Sequence, residues 1–275
     1  MQTYFHCGRF KLELERPLVM GIVNVTPDSF SDGGRYLQLE QALQKIEQLI
    51  SDGADIIDIG GESTRPGAAS VSVDVELSRV MPVIEAARAF NVPLSIDTCK
   101  TAVMQAALQA GVDMVNDIAG LEAPGAIAAL AQSQAGICLM HKQGNPQTMQ
   151  AAPHYQDVVS EVSSYLVDRI SAVIGAGVAK ERILADLGFG FGKNLEHNRA
   201  LFRSISILIE ELQTPMLVGV SRKRMLGELT GREVGDRTTA SVTAALLAVQ
   251  AGAQIVRVHD VRETLDALKV WQGLK

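Results

Sequence analysis

The chain has 275 residues, 47% of them hydrophobic and 20% charged, enough apolar material for a large buried core. Its formal net charge is −6 and its isoelectric point is near 5.4. That balance, with no basic cluster, argues against a nucleic-acid groove, which needs a basic face to neutralise phosphates. Any anion handled here must be held locally, by a few cationic side chains and backbone N–H groups.

The three cysteines, Cys7, Cys99 and Cys138, are far apart and form no CxxC, and no secretory leader precedes residue 17. The pattern points to a reducing, cytoplasmic setting, with Cys99 and Cys138 as core or pocket-lining side chains. No apolar run approaches the ~20 residues that a bilayer span needs, so a soluble chain is expected.

Residues 1–15 alternate weakly, with Tyr4, Phe10, Leu12 and Leu14 around Gly8-Arg9, and read as a short hairpin that plugs one end of the fold. Residues 18–25 are the first β-branched run. Asn24, near its end, opens into a long loop of Pro, Asp, Ser and Gly through Gly34, where Phe30, apolar among polar neighbours, suggests a lid. Leu39, Leu43, Ile46 and Ile50 then recur at helical spacing, and Gly53 stops that helix.

The stretch from Asp55 to Gly67, DIIDIGGESTRPG, delivers a short β-branched strand into a loop of small, hydroxylated and cationic residues. Gly60-Gly61 lets the backbone turn and approach a ligand; Glu62, Ser63, Thr64 and Arg65 supply charge and hydrogen bonds before Pro66-Gly67 stiffens the exit. Taken alone, it also fits an ordinary polar turn between strand and helix.

The same alternation continues down the chain. Helical patterns over 75–90, 102–110, 124–134, 155–174, 198–212, 237–251 and 261–272 separate strand patterns over 93–98, 114–118, 137–141, 183–186, 216–220 and 254–259. A second long loop spans 142–153. Eight strands and eight helices in strict alternation, with right-handed crossovers, predict an α/β fold closed as a (β/α)8 TIM barrel, one domain over residues 1–275 with an N-terminal β-hairpin. An open doubly wound sheet is the other topology for such a pattern, but no GxGxxG follows the first strand.

In a barrel the C-terminal strand ends meet on one face, so Asn24, Thr64, Arg65, Asp97, Asn116, Asp186, Lys223, Arg257 and His259 become neighbours. Each has a plain alternative: Asp97 and Asp186 could cap the following helix, Asn116 could brace a turn, and Arg257 could form an ordinary ion pair. As a set they define a rim. Asp97, Asp186 and Asn116 can recognise a flat heterocycle that presents N–H donors and an acceptor. Arg65, Arg257, His259 and Asn24 suit an anion, with Asn24 able to offer its oxygen to Mg²⁺.

No Ser/His/Asp order, HExxH or zinc spacing is present, which disfavours hydrolysis by a covalent nucleophile or zinc. His6, His154 and His197 have polar surroundings and no assigned role, and His141, ending a strand, reads as packing at the pocket edge.

These segments resemble the dihydropteroate synthase family. The resemblance rests on GIVNVTPDSFSDGG from Gly21, DIGGESTRPGA from Asp58, SIDT from Ser95, NDI from Asn116, GFGFGK from Gly188, SRK from Ser221 and RVHDV from Arg257, and it covers essentially the whole chain. It implies a transferase of folate biosynthesis, a sulfonamide target, that joins 6-hydroxymethyl-7,8-dihydropterin diphosphate to 4-aminobenzoate with Mg²⁺ assistance, giving 7,8-dihydropteroate and pyrophosphate by an SN1-like path. On that resemblance Asp97, Lys223 and Arg257 are catalytic. Asp97, Asn116, Asp186 and Lys223 hold the pterin, and Met140 and Arg257 pack on its faces. Asn24 binds the metal–diphosphate, and Arg65, Arg257 and His259 cradle the phosphates. Thr64, Pro66, Phe191, Ser221 and Lys223 shape the aminobenzoate pocket, and a homodimer formed through late helices is implied. Two positions depart from the family pattern: Leu187 where proline is usual, and Cys99 where a small hydroxyl residue is common. The nearest rival is a pterin-binding methyltransferase, similar in barrel and pterin set, that uses methyltetrahydrofolate and has less need of the anion cluster or SRK.

Overall fold

The computed structural model describes residues 2–26, 35–63, 67–144 and 149–274. Strands β1 (Tyr4–Cys7) and β2 (Phe10–Glu13) form an antiparallel hairpin. The barrel strands are β3 (Leu18–Asn24), β4 (Ile56–Gly60), β5 (Leu94–Asp97), β6 (Met114–Asp117), β7 (Gly136–Met140), β8 (Ile183–Asp186), β9 (Leu217–Val218) and β10 (Ile255–Val258). They pair in parallel in the order β8-β7-β6-β5-β4-β3-β10-β9. A parallel bridge between Ala185 and Met216, with the Ala185 N–H donating to the Pro215 carbonyl at 3.0 Å, links the two ends. This is the expected (β/α)8 barrel.

The helices that cover it are α1 (Arg35–Ser51), α2 (Val73–Ala87), α3 (Thr101–Ala110), α4 (Ala126–Ala131), α5 (Val158–Gly175), α6 (Leu195–Arg203), α7 (Ile205–Leu212), α8 (Arg224–Thr230), α9 (Thr238–Gln250) and α10 (Val261–Gly273). Two details differ from the sequence pattern. The helix expected over 198–212 breaks at Ser204 (φ −98°, ψ 5°) into α6 and α7, and α8 follows SRK where no helix was expected. The break escapes periodicity because Leu201, Ile205, Leu208 and Leu212 all pack into one core across it.

Alternation along the strands sorts side chains into two compartments. Outward residues such as Val19, Ile57, Ile59, Ile96 and Val115 join the helices in the main core. Inward residues Leu18, Met20, Ile56, Met114, Cys138, Leu184, Leu217 and Ile255 form a second cluster with Phe5 and Cys7 of the hairpin. The hairpin therefore plugs the N-terminal end, as expected, and Gly136 makes the room: a Cβ there would collide with the Phe5 ring. Arg9 fastens the plug by a two-pronged pair with Asp113, both bonds at 2.9 Å.

On five of the strands the inward side chain nearest the C-terminal end is polar: Asp58 after Ile56, Asp97 after Ser95, Asn116 after Met114, Asp186 after Leu184 and Arg257 after Ile255. The sheet register carries Asn24, Gly60, Asp97 and Asn116 across four adjacent strands at one height. The barrel is thus filled with apolar side chains at its base and charged ones at its mouth.

Candidate active site

Arg257 is the hub of the mouth. Its Nε donates to Asp58 Oδ2 at 2.6 Å and its Nη2 to Asp97 Oδ2 at 2.8 Å, while Asn116 Nδ2 donates to the same Asp58 oxygen at 3.1 Å. Asp58 is fully buried, and its second oxygen has no protein partner. Burial alone would lower the Arg257 guanidinium, but Asp58 and Asp97 more than offset it and hold the group above its ordinary value. The structure therefore joins Arg257, expected among the anion-gripping residues, to Asp97 and Asn116, expected to read a ring. The long side chain, leaving β10 toward the barrel axis, reaches across the mouth to β4 and β5.

Asp97, Asp186 and Asp117 resist ionisation. Burial pushes Asp97 up to about 7, with Arg257 pulling it down and Asp58 raising it further. Burial also lifts Asp186, against the pull of Lys223 and of the Gly188 N–H that donates to its Oδ1 at 2.8 Å. Asp117, beside Asn116, is held at about 6 by burial, although the N–H groups of Ala119 and Leu121 both donate to it at 2.7 Å.

Lys223 follows β9 and lies opposite. Burial lowers its ammonium to about 8 while Asp186 draws it back up. It donates to the Phe189 carbonyl at 2.6 Å, and its Nζ lies 4.7 Å from the centre of the Phe191 ring. Phe191 and Met140 share a small apolar wall with Ile118 and Met149, against which Cys99 packs. Burial keeps the Cys99 thiol protonated, at about 11. Beyond β9, Ser221 Oγ meets His259 Nδ1 at 3.0 Å and accepts the His259 N–H at 3.2 Å.

Of the expected site residues, Asn24, Asp97, Asn116, Met140, Asp186, Phe191, Ser221, Lys223, Arg257 and His259 all lie at or next to the C-terminal ends of barrel strands. Thr64, Arg65 and Pro66, and Phe30 of the expected lid, lie outside the described residues. His141 packs edge-on against Tyr165, centroids 5.0 Å apart, and burial lowers it to about 3, consistent with a packing role. Two buried charged residues in or beneath the site were not singled out from the sequence. Asp58 stands on the inward face of β4 between Ile56 and Gly60, so a period-two reading of IIDIG would have found it. Lys193 ends GFGFGK, is 2% exposed, and places its Nζ 2.9 Å from His141 Nδ1; only tertiary structure reveals that pairing.

Among the described residues no group of three His, Cys, Asp or Glu side chains is placed to hold a metal ion by itself. The mouth thus offers carboxyl groups, an amide, an ammonium and a guanidinium around one opening, with an apolar wall on one side. That combination suits a flat, hydrogen-bonding ring with an anionic substituent.

The comparisons agree. A family model described as "Pterin binding enzyme" matches residues 20–259, so fold and mouth define a pterin-binding barrel enzyme. A dihydropteroate synthase of Neisseria meningitidis serogroup B is 54% identical over 98% of this chain and 97% of its own length; that of Escherichia coli K12 is 50% identical over 94% and 92%. A solved Xanthomonas albilineans dihydropteroate synthase with 4-aminobenzoic acid superposes with TM-score 0.93 at 51% identity, covering 100% of this chain and 98% of that one. The Burkholderia cenocepacia enzyme complexed with 7,8-dihydropteroate gives 0.89 at 50% identity over 99% and 96%. The chain belongs to the dihydropteroate synthase family.

Proposed function

We propose that the barrel mouth condenses 6-hydroxymethyl-7,8-dihydropterin diphosphate with 4-aminobenzoate, releasing pyrophosphate and forming 7,8-dihydropteroate. The observation that carries this reading is full-length identity to dihydropteroate synthases combined with an intact set of Asp97, Asn116, Asp186, Lys223 and Arg257 at one opening. In this reading Asn116, Asp186 and Lys223 hold the pterin ring, and Met140 lies against it. Thr64, Pro66, Phe191, Ser221 and Lys223 form the aminobenzoate side, while Arg65, Arg257 and His259 face the diphosphate.

The C–O bond to the diphosphate breaks with its electron pair leaving on oxygen, the amine nitrogen bonds to the methylene carbon, and the amine loses a proton. Negative charge grows on the leaving group, where preplaced cations lower the barrier, and an ionised Asp97 stabilises the positive carbon. That division of charge supports an SN1-like order, with direct displacement as the alternative. The aminobenzoate side is also the natural site for a sulfonamide, the class of drug bound in the Yersinia pestis dihydropteroate synthase complex, 48% identical to this chain.

Mg²⁺ fits this mouth only as a shared ion. Asn24 offers one amide oxygen at the height of Asp97, and Mg²⁺ is ordinarily held by one or two protein oxygens plus substrate phosphates and water. When bound it would neutralise diphosphate charge. A homodimer through late helices is supported by Leu229, Val234 and Leu247, large apolar side chains left exposed on and between α8 and α9. No helix among the described residues is long and apolar enough to cross a membrane, which is compatible with a cytoplasmic enzyme.

The test is pyrophosphate release from the pterin diphosphate with and without 4-aminobenzoate, in Mg²⁺. Release that depends on 4-aminobenzoate supports the reading; no release, together with binding of methyltetrahydrofolate, would replace it with the pterin-binding methyltransferase.

A further inference from the structure

Between β8 and α6 the chain forms a loop, 188–192, of alternating glycine and phenylalanine. Gly188, Gly190 and Gly192 have φ of 67°, 78° and 65°, the left-handed region that glycine tolerates best. Such a backbone turns successive carbonyls outward, and one backbone bond, Phe191 N–H to Gly188 O at 3.1 Å, spans the turn. Side chains do the rest, and every carbonyl of the five has one. Gly188 and Phe191 accept from Lys193 Nζ at 3.0 and 3.2 Å; Phe189 accepts from Lys223 Nζ, Gly190 from Gln150 Nε2, and Gly192 from the Tyr155 hydroxyl at 2.9 Å.

Lys193 is the donor that ties the two ends of this loop to each other and to the end of β7, through the His141 ring nitrogen and, at 3.4 Å, the His141 carbonyl. It is buried and makes none of the contacts of the mouth described above. Burying an ammonium is costly, and an apolar side chain of similar length would fill the space with less penalty. What an apolar side chain would lack is donors converging on carbonyls three residues apart.

We propose that Lys193 is a positioning residue for the aminobenzoate side of the site: with the Tyr155 hydroxyl, it fixes loop 188–192 so that the Phe191 ring and the Phe189 carbonyl meet the Lys223 ammonium. This rests on the function proposed above, in which Phe191 and Lys223 form that pocket. Lys193 touches neither substrate and acts through the loop. It also accounts for the tolerance of Leu187 in place of proline: Leu187 is fully buried, and the loop beyond it is held by side-chain donors.

Steady-state kinetics with both substrates on the full-length enzyme test the proposal. Lys193→Met is expected to raise KM for 4-aminobenzoate about tenfold or more while KM for the pterin diphosphate moves by less than about threefold, a split that general destabilisation does not produce. Tyr155→Phe removes one hydroxyl, folds more safely, and is expected to show the same split at about threefold. If Lys193→Met does not fold, Tyr155→Phe decides. Unchanged KM for 4-aminobenzoate in the folded variants, or equal changes for both substrates, would overturn the role of Lys193 with the function intact. Absence of pyrophosphate release from the parent enzyme would overturn the functional reading itself, and this role with it.

Discussion

Arg257 and Asp97 are ion-paired across the barrel mouth, Nη2 to Oδ2 at 2.8 Å, from strands separated by two others in the sheet. The guanidinium is simultaneously bound by Asp58 through Nε at 2.6 Å. A diphosphate arriving here meets a cation already oriented by two carboxylates, with Nη1 the nitrogen that neither carboxylate engages. Preorganisation of this kind avoids the reorganisation a free arginine would undergo as charge develops on the leaving group.

Removing that cation should cost folding as well as chemistry, because fully buried Asp58 loses its ion-pair partner, so rates are compared at a temperature where the variant is folded. Arg257→Ala is expected to lower kcat/KM by about 100-fold or more, since a charge-assisted contact to the leaving group is lost. Arg257→Lys should recover little, because a shorter, point-like ammonium lacks the planar fork with which Nε and Nη2 address Asp58 and Asp97 in fixed directions. Pyrophosphate-release kinetics check both. Turnover within a few-fold of the parent in Arg257→Ala would exclude the phosphate role.

The pH dependence follows from Asp97, whose carboxyl is raised to about 7 by burial first and by Asp58 next. The ionised form is the one that can stabilise a positive carbon, so kcat/KM should rise as pH climbs through about 7. Stability runs the other way. With the folded value above the unfolded 3.8, the stability contributed by Asp97 is fully present below the unfolded value and is lost as pH rises through the folded one. Asp97→Asn cannot ionise, so its Tm relative to the parent should increase across that interval while its turnover stays low. Calorimetry of both proteins tests this: a Tm difference flat from about pH 4 to 8 would place the titration on another group.

What the sequence makes legible depends on the range of the interaction concerned. The barrel strands were readable because each is a short apolar, β-branched run stopped by glycine or polar residues. The polar rim was readable because barrel closure brings strand ends together whatever their sequence separation. Interactions set by tertiary geometry were not. Arg257 reaching Asp58 and Asp97, Lys193 capping loop carbonyls, and Glu76 buried on the apolar side of α2 leave no mark on periodicity. The seven-residue α8 buries only Met225 and Leu226, too little apolar pattern to announce a helix.

Glu76 illustrates such a hidden interaction and leads to a stability prediction. Lys100 Nζ lies 2.6 Å from Glu76 Oε2 and 2.5 Å from Glu62 Oε2, and Glu62 Oε1 accepts the Val71 N–H at 3.0 Å. The triad thereby fastens both ends of the segment leading from β4 into α2. Glu76 is fully buried, so Lys100→Met strands its carboxylate and should cost about 3–5 kcal/mol in urea unfolding. Pairing that change with Glu76→Leu removes the stranded charge and should restore most of the loss. If Lys100→Met unfolds at the parent's urea midpoint, the triad is not holding the fold.

Gly188, in the loop between β8 and α6, and Gly175, the last residue of α5, should respond oppositely to alanine. At Gly188, φ is 67° and a Cβ would overlap the His141 carbonyl oxygen, a backbone atom that cannot step aside without moving the end of β7. Gly188→Ala should therefore lose about 3 kcal/mol or more, and with it the placement of Phe191 and Lys223, so that activity falls even at temperatures where the variant stays folded. At Gly175, the last residue of α5, φ is not positive and nothing lies within 4 Å of the added methyl. Gly175→Ala should stabilise by about 0.4–1 kcal/mol through the unfolded chain's lost entropy, with activity unchanged. Thermal melts and initial rates on the two variants separate the effects: a fully active Gly188→Ala protein would show that the loop does not need the conformation seen here to build the site.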